Sequence, residues 1–96
     1  MWRMAFRIRE LIVSPQQEQH VWSKHRVTPE EVEDLCLSQP YVLRGRDRSY
    51  AVYGQTAGGR YLAVFLFPRG RGVYSLATAR EMNDAESRRY RSFRGR

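Results

Sequence analysis

Three apolar runs in the second half of the chain constrain its fold more than any other feature. The runs are SYAVYGQT, RYLAVFLFP and GVYSLATAR, and the glycine-containing segments AGG and RGR separate them. Aromatic and β-branched residues bounded by glycines are typical of strands joined by tight turns. Gly58–Gly59, and then Gly70 with Gly72, supply the positive φ that short hairpin turns require. The stretch from Tyr50 to Arg80 therefore predicts an antiparallel meander of three strands.

The middle run predicts the centre of the sheet. Successive side chains of a strand point to opposite faces, and in this run both alternating sets are apolar. One set contains Leu62, Val64 and Leu66, and the other contains Tyr61, Ala63, Phe65 and Phe67. A strand with two apolar faces needs cover on both sides, so we expect it to lie inside the sheet rather than at its edge.

Two helices are predicted before the meander and one after it, because each start carries a capping signal. The signals are Ser14 with Gln17, Thr28 with Glu31, and Asn83 with Glu86. The first helix is expected to end near His25 and to bury Val21 and Trp22. The second is expected to end before Pro40, and its buried stripe is Val32, Leu35 and Cys36. The terminal helix has Met82, Tyr90 and Phe93 as its candidate packing residues.

Two further strands complete the prediction. Residues from about Phe6 to Val13 alternate apolar and arginine side chains, which favours a first strand. The segment YVLRGRDRSYAVYG predicts another strand, a turn near Asp47 and Arg48, and the first strand of the meander. Arg44 and Arg46 are expected to alternate onto the same strand face. At 96 residues the chain has room for one modest core, so we expect a single domain over residues 1–96 with the last two or three residues frayed.

Positive charge is concentrated in the half of the chain that contains the meander. The formal net charge is +7, with five basic and six acidic residues up to Leu43, and twelve arginines against four acids from Arg44 onward. This favours a polyanionic partner such as nucleic acid or an anionic membrane surface. Lys24 is the only lysine, which fits either a GC-rich genome or selection for arginine's bidentate contacts to phosphate.

The composition also limits the compartment and the chemistry. One cysteine, Cys36, excludes an intramolecular disulfide, and no stretch is long and apolar enough to span a bilayer. We therefore expect a cytoplasmic protein.

His20 and His25 are five residues apart, on different helix faces, with no carboxylate pair beside them, so no metal site is predicted. His25 is either a structural residue or a general acid or base.

Arginines alternate with tyrosines through the basic half. Guanidinium groups can hold phosphates while tyrosine rings stack on unpaired bases. The same pattern also fits a solvated basic rim around tyrosines of the core. The residues concerned are Arg44, Arg46, Arg60, Arg80, Tyr50, Tyr53, Tyr61, Tyr74, Tyr90 and the arginines of the terminal helix.

The order HVWSKHRVTPEEVEDL, then strands, then VYSLATAREMNDAESRRYR resembles the BrnT-type toxins of bacterial toxin–antitoxin pairs. The matching elements are Lys24-His25, the capped turn from Thr28 to Leu35, Ala79-Arg80, and Glu86 with Arg88, Arg89 and Tyr90. Two departures are Arg26, where a glycine is usual, and SPQQEQ in place of an acidic helix start.

The resemblance implies an α+β, RelE-like fold: an antiparallel β-sheet with the two N-terminal-half helices on one face and a C-terminal arginine-rich helix. It also implies a metal-independent endoribonuclease that inhibits translation, without a cofactor, through attack of a ribose 2′-hydroxyl on the adjacent phosphate. The implied partners are RNA and a ribbon-helix-helix, BrnA-like antitoxin. The alternative is a non-catalytic module of the same fold that binds RNA or an acidic protein.

On matching positions, the resemblance gives Arg80 and Arg60 as phosphate stabilisers and His25 or Glu81 as proton-transfer groups. Tyr53 is the candidate for base stacking, and the remaining nucleic-acid contacts are expected from Arg44, Arg46, Arg88, Arg89 and Arg91. The prediction requires Arg44, Arg60 and Arg80 to converge on one concave surface.

Overall fold

A computed structural model of the chain describes residues 7–38 and 40–95. It contains three helices and five strands: α1 (Pro15–His25), α2 (Pro29–Leu37), α3 (Asp84–Arg94), β1 (Glu10–Ile12), β2 (Tyr41–Arg44), β3 (Tyr50–Gln55), β4 (Tyr61–Gly70) and β5 (Val73–Glu81). A 3-10 turn over Arg46–Arg48 joins β2 to β3. None of the helices in this part of the chain combines the length and hydropathy that a membrane span needs.

The strands form one sheet in the order β1-β5-β4-β3-β2. The meander of β3, β4 and β5 is antiparallel, and β4 is the central strand, as its two apolar faces predicted. β2 adds to β3 in the antiparallel sense, whereas β1 pairs with β5 in parallel, from Glu10 beside Val73 to Ile12 beside Ser75. The predicted α+β class is confirmed, and β1 is the one strand that departs from a purely antiparallel sheet.

Two layers cover the sheet from opposite sides. On one side, α1 and α2 bury a continuous apolar core against the even-numbered side chains of β3 and β4. Its buried members are Val21, Val27, Val32, Leu35, Cys36, Val52, Leu62, Val64, Leu66, Leu76 and Ala79. On the other side, α3 buries Tyr90 against a smaller cluster that contains Ala51, Tyr53 and Ala63. The odd-numbered side chains of β3 and β4 therefore form the face that α3 covers.

Local chemistry explains where the elements begin and turn. Thr28 and Glu31 exchange side-chain and backbone hydrogen bonds of 3.1 and 3.0 Å at the start of α2. Asn83 and Glu86 do the same at the start of α3, at 2.8 and 3.0 Å. Such reciprocal bonds satisfy backbone N–H groups that have no partner in the first helical turn. These two of the three predicted capping boxes are confirmed.

At the start of α1 the structure shows one half of the predicted box, a 3.1 Å bond from the Gln17 N–H to Ser14 Oγ.

The hairpin turns also follow the prediction in part, because Gly59, Gly70 and Gly72 have φ of +93°, +96° and +81°. Arg71, between the last two, adopts φ of 57° as well. The second hairpin therefore needs left-handed backbone at three successive residues.

Three sequence-based expectations are corrected. β1 begins at Glu10 rather than near Phe6, which lies outside the described residues. Trp22 is 48% exposed instead of buried, because it lies about 100° around the helix from the buried Val21. Arg46 lies in the 3-10 turn, so it does not share a strand face with Arg44.

Candidate functional site

The C-terminal end of β5 places Arg80 on the α3 side of the sheet. Arg80 lies beside Ala63, and Ala63 lies beside Tyr53, so these residues form one row across β5, β4 and β3. The capping box at Asn83 turns the chain immediately after β5 and brings Glu86 back over this row. Tyr53, Arg80 and Glu86, termed here the Arg80 cluster, are therefore assembled by the strand register and the start of α3.

Within the Arg80 cluster, Glu86 binds both other members. The Nη1 and Nη2 groups of Arg80 donate to Glu86 Oε1 and Oε2 at 2.7 and 2.9 Å. The Tyr53 hydroxyl donates to Glu86 Oε2 at 3.4 Å, and Arg80 Nη1 also donates to the Glu81 carbonyl at 3.1 Å. The guanidinium carbon lies 5.2 Å above the centre of the Phe65 ring. Arg80 is thus fixed in one orientation by a bidentate ion pair.

The charges of the Arg80 cluster follow from these contacts. The hydrogen bond to Arg80 lowers the pKa of Glu86, and the same bond raises the pKa of Arg80. Burial raises the pKa of the Tyr53 hydroxyl, and the negative charge of Glu86 raises it further. At neutral pH the cluster therefore holds a carboxylate, a guanidinium and a neutral phenol.

Arg80 retains donors that no group among the described residues uses. An arginine has five N–H groups, and within the described chain three of those of Arg80 meet Glu86 or the Glu81 carbonyl. The other two lie on Nε and Nη2, which form one side edge of the guanidinium plane. Its side chain is 33% exposed. Two parallel N–H groups on one edge of this partly exposed side chain match the spacing of two phosphate oxygens.

Arg60 occupies a second cluster on the opposite side of the sheet. Its Nη1 group donates to the Arg26 carbonyl at 2.6 Å and to the Glu31 carboxylate at 3.2 Å. Its Nη2 group donates to the His25 carbonyl at 2.9 Å and to Glu81 Oε2 at 3.3 Å. These five residues are termed here the Arg60 cluster. Every Nη proton has an acceptor, so Arg60 ties the α1–α2 turn and Glu31 to the end of β5.

The two proposed proton-transfer residues both belong to the Arg60 cluster. Glu81 directs its carboxylate to Arg60 while its carbonyl accepts from Arg80, and its side chain is 69% exposed. His25 contributes its carbonyl to Arg60, and its ring lies edge-on to His20, with ring centroids 6.4 Å apart. Their positions lie about 140° apart around α1, yet the two rings are neighbours. Glu81 is the residue that links the two clusters.

Tyr53 is more enclosed than base stacking requires. The residue is 8% exposed, and its ring packs against Tyr41 at a centroid distance of 6.2 Å. Little of the ring remains open to a nucleobase. Its contact to Glu86 instead gives Tyr53 a role in orienting the carboxylate that holds Arg80.

The three arginines that were expected to converge do not share one surface. Arg60 contacts the α1–α2 layer, whereas Arg80 lies on the face that α3 covers. Arg44 lies beside Tyr50, three residues along β3 from the row of Arg80. That part of the prediction is wrong, because strand alternation and the β2–β3 register separate the three side chains.

The other predicted arginines are exposed. Arg46 lies in the turn before β3, and Arg88, Arg89 and Arg91 lie on the solvent side of α3. Burial raises the pKa of the Tyr53 hydroxyl, and the positive charge of Arg89 partly offsets this rise, which places Arg89 within electrostatic reach of the Arg80 cluster.

Sequence reasoning missed the second role of Glu86. Its capping function was predicted, but its bidentate contact to Arg80 was not. The available signal is an arginine at the end of a strand, followed within one short turn by an acidic residue at the third position of a helix.

No group of three or more histidine, cysteine or acidic side chains suited to a metal occurs within residues 7–38 and 40–95.

No protein-family model matches the chain, and no curated protein matches it. Among solved structures, the chain is similar to the ribonuclease toxin BrnT of Brucella abortus, with a TM-score of 0.67 and 21% sequence identity. The match covers 78% of this chain and 97% of the BrnT chain. The chain therefore has a BrnT-like fold, as the resemblance of its sequence predicted.

Proposed function

We propose that this chain is a ribonuclease toxin that binds RNA on the α3 side of its sheet. The observation that carries the proposal is the open Nε–Nη2 edge of Arg80, which a bidentate ion pair holds in place beside an arginine-rich helix. The fold of the chain is that of a protein described as a ribonuclease toxin. RNA phosphates satisfy both the charge and the geometry of this edge.

In the proposed reaction, a ribose 2′-hydroxyl oxygen attacks the adjacent phosphorus. The O2′–P bond forms as the P–O5′ bond breaks, which leaves a cyclic phosphate and a 5′-hydroxyl. A base accepts the 2′-hydroxyl proton, and an acid supplies a proton to the departing oxygen. Arg80 stabilises the negative charge that grows on the phosphoryl oxygens, a contribution of a few kcal/mol for a well-placed donor.

The remaining residues take supporting roles in this proposal. Glu81 is favoured over His25 for proton transfer, because it follows Arg80 directly and its side chain is 69% exposed. This role requires the Glu81 carboxylate to leave its 3.3 Å contact with Arg60 and to turn toward the Arg80 side of the sheet. Arg88, Arg89 and Arg91 are proposed to contact the RNA backbone on either side of the reacting phosphate. Arg60 was a candidate phosphate stabiliser, and its saturated Nη groups favour a structural role instead.

The resemblance further supports a cytoplasmic toxin that inhibits translation and is neutralised by a ribbon-helix-helix antitoxin. Because an antitoxin must block the substrate surface, we propose that it covers α3 and the Arg80 cluster. The reaction uses protein side chains alone, without a metal or cofactor.

One observation favours a second function, RNA binding without cleavage. The carboxylate nearest to Arg80 is Glu86, whose pKa is lowered, so it is a weak base. A protein of this kind would hold RNA without cutting it. Its logarithmic affinity would fall with logarithmic salt concentration by about 0.7 for each phosphate contacted.

Incubation of the purified protein with total RNA in EDTA tests the proposal. Wild type is expected to cleave, and Arg80→Ala is expected to lose activity while it keeps the wild-type circular dichroism spectrum. Arg69→Ala is the matched control, since Arg69 is exposed, lies at the far end of β4 and contacts Ser75. Absence of cleavage by wild type, or equal cleavage by Arg80→Ala, removes the catalytic assignment. Intact RNA that is nevertheless retained supports the binding module.

A further inference from the structure

The α1–α2 layer has the opposite charge to the rest of the molecule. Residues 15–38 contain two basic residues, Lys24 and Arg26, and five acidic residues, a net charge of −3 in a chain of net charge +7. Phosphates are repelled from such a surface, whereas positively charged groups are attracted to it. This layer therefore differs from the α3 side in the partners that it favours.

Trp22 is the large aromatic residue that this acidic layer exposes, at 48%. It borders a shallow cavity of about 280 Å³ between α1 and the start of α2, lined by Glu18, Trp22, Val27, Thr28, Pro29 and Glu30. The three ion pairs of the described residues involve other glutamates, so in that part of the chain Glu18 and Glu30 have no cationic partner. An indole and two uncompensated carboxylates thus border the same cavity.

Arg26 shows which chemistry the indole accepts. Its guanidinium carbon lies 5.0 Å above the Trp22 ring, within the range of a cation–π contact. Arg26 has a left-handed φ of 55° at the end of α1 and does not line the cavity. The chain thus places one guanidinium of its own against Trp22, while no ion pair of the described residues engages Glu18 or Glu30, the two carboxylates that line the cavity.

We propose that this cavity binds an arginine or lysine side chain from a basic segment of a partner protein. The cation lies against the indole while Glu18 and Glu30 supply the opposite charge, and arginine is preferred because its planar group stacks on aromatic rings. This surface lies on the side of the sheet opposite to the Arg80 cluster. The inference is therefore independent of the proposed ribonuclease, and a partner on this surface leaves the RNA surface free.

Titration with hexa-arginine amide at fixed ionic strength tests the inference on the full chain. The readout is the indole N–H cross-peak of Trp22 in ¹H–¹⁵N NMR, identified by its loss in Trp22→Phe. We expect saturable shifts with hexa-arginine and none with hexa-citrulline, which has the same shape but no charge. Glu18→Gln combined with Glu30→Gln is expected to weaken binding roughly tenfold. Trp22→Ala is expected to weaken it similarly, and because this variant lacks the indole cross-peak its affinity is read from the backbone N–H cross-peaks of Thr28 and Glu30, which also line the cavity. Arg26→Gln is expected to tighten it, because a competing positive charge is removed.

Glu33→Gln is the matched control, since Glu33 is exposed on α2 and does not line the cavity, and it is expected to change the affinity less than twofold. An unmoved Trp22 cross-peak, or an affinity that the double variant leaves unchanged, overturns the inference. A shift that grows with protein concentration in the absence of peptide also contradicts it, because a second copy of the chain would then occupy the cavity. RNA retention by the same variants is expected to stay at the wild-type level, which separates this test from that of the proposed function.

Discussion

Arg60 and Arg80 are both arginines of the basic half of the chain, but they differ in how many N–H groups remain available to a ligand. Both lie at the same end of the sheet, both pair with glutamates, and their side chains are 29% and 33% exposed. All four Nη protons of Arg60 have protein acceptors, whereas Arg80 keeps its Nε–Nη2 edge open. Neither exposure nor charge separates them. The number of unused N–H groups identifies Arg80 as the arginine available to a ligand.

The difference arises from what surrounds each guanidinium. The last carbonyls of a helix receive no hydrogen bond from within the helix. Arg26, whose backbone is left-handed at the end of α1, turns two such carbonyls toward Arg60. Arg60 therefore acts as a C-terminal cap supplied from another element. Arg80 instead meets the N-terminal end of α3, where one carboxylate already serves as a cap and can engage only one edge of the guanidinium.

The largest expected effect is that of Arg80→Lys on RNA cleavage. Lysine keeps the positive charge but cannot present two parallel N–H groups, so we expect the cleavage rate to fall by about tenfold to a hundredfold. The rate is measured on a defined single-stranded RNA in EDTA. A rate within twofold of wild type would show that the reaction uses only the positive charge of Arg80. The unused N–H groups would then no longer distinguish Arg80 from Arg60.

Arg60→Ala is expected to act on stability instead. The substitution leaves the His25 and Arg26 carbonyls and Glu31 without this donor, which should cost about 2 kcal/mol in the free energy of unfolding. Urea denaturation followed by circular dichroism measures it. Arg69→Ala, the exposed control, is expected to change the same quantity by less than about 0.5 kcal/mol. Equal stability of the two variants would contradict a structural role for Arg60.

The pH dependence of stability isolates the ion pair of Arg80. The pKa of Glu86 is lowered in the folded protein, so its stabilising contribution is present above the unfolded-state value of about 4.3 and is lost as the pH falls through the folded-state pKa. Wild type should therefore unfold at a higher temperature than Glu86→Gln at pH 7. The difference should shrink below about pH 4, and a constant difference across this range would argue against the pair.

The smallest expected effect is that of Tyr53→Phe. The variant loses one 3.4 Å hydrogen bond to Glu86 and should be less stable by under about 1 kcal/mol. Tyr41→Phe is the matched control, since Tyr41 packs against Tyr53 and its hydroxyl has no hydrogen bond within the described residues. A larger loss in the control would assign the effect to ring packing rather than to the hydroxyl.

The central strand of the sheet and the starts of two helices were predictable, because neighbouring residues in the sequence determine them. Strand alternation placed β4 at the centre, and Thr28 with Glu31 and Asn83 with Glu86 marked the starts of two helices. The parallel pairing of β1 could not be read in this way, because its short alternating pattern does not specify a neighbour. The exposed Trp22 was mispredicted for a similar reason, since the buried stripe of α1 is narrow.

The site was predictable by residue type and less so by position. Arg80 was identified, but its separation from Arg60 and Arg44 depends on strand parity and on the register of β2 against β3, which the sequence alone does not fix. The contact between Glu86 and Arg80 depends on the angle at which α3 leaves β5. The arrangement of strands and helices that are distant in sequence decides which arginines lie close together. Patterns of a few residues do not predict that arrangement.

The salt dependence of RNA affinity tests the difference between the two arginines most directly. Binding of a short single-stranded RNA is measured from low to moderate salt for wild type, Arg80→Gln and Arg60→Gln, under conditions where each is folded. Arg80→Gln is expected to reduce the slope of logarithmic affinity against logarithmic salt by about 0.7, the value for one lost phosphate contact, and Arg60→Gln to leave the slope unchanged. Equal slopes for wild type and Arg80→Gln, or a reduced slope for Arg60→Gln, would contradict the assignment of the open edge to RNA.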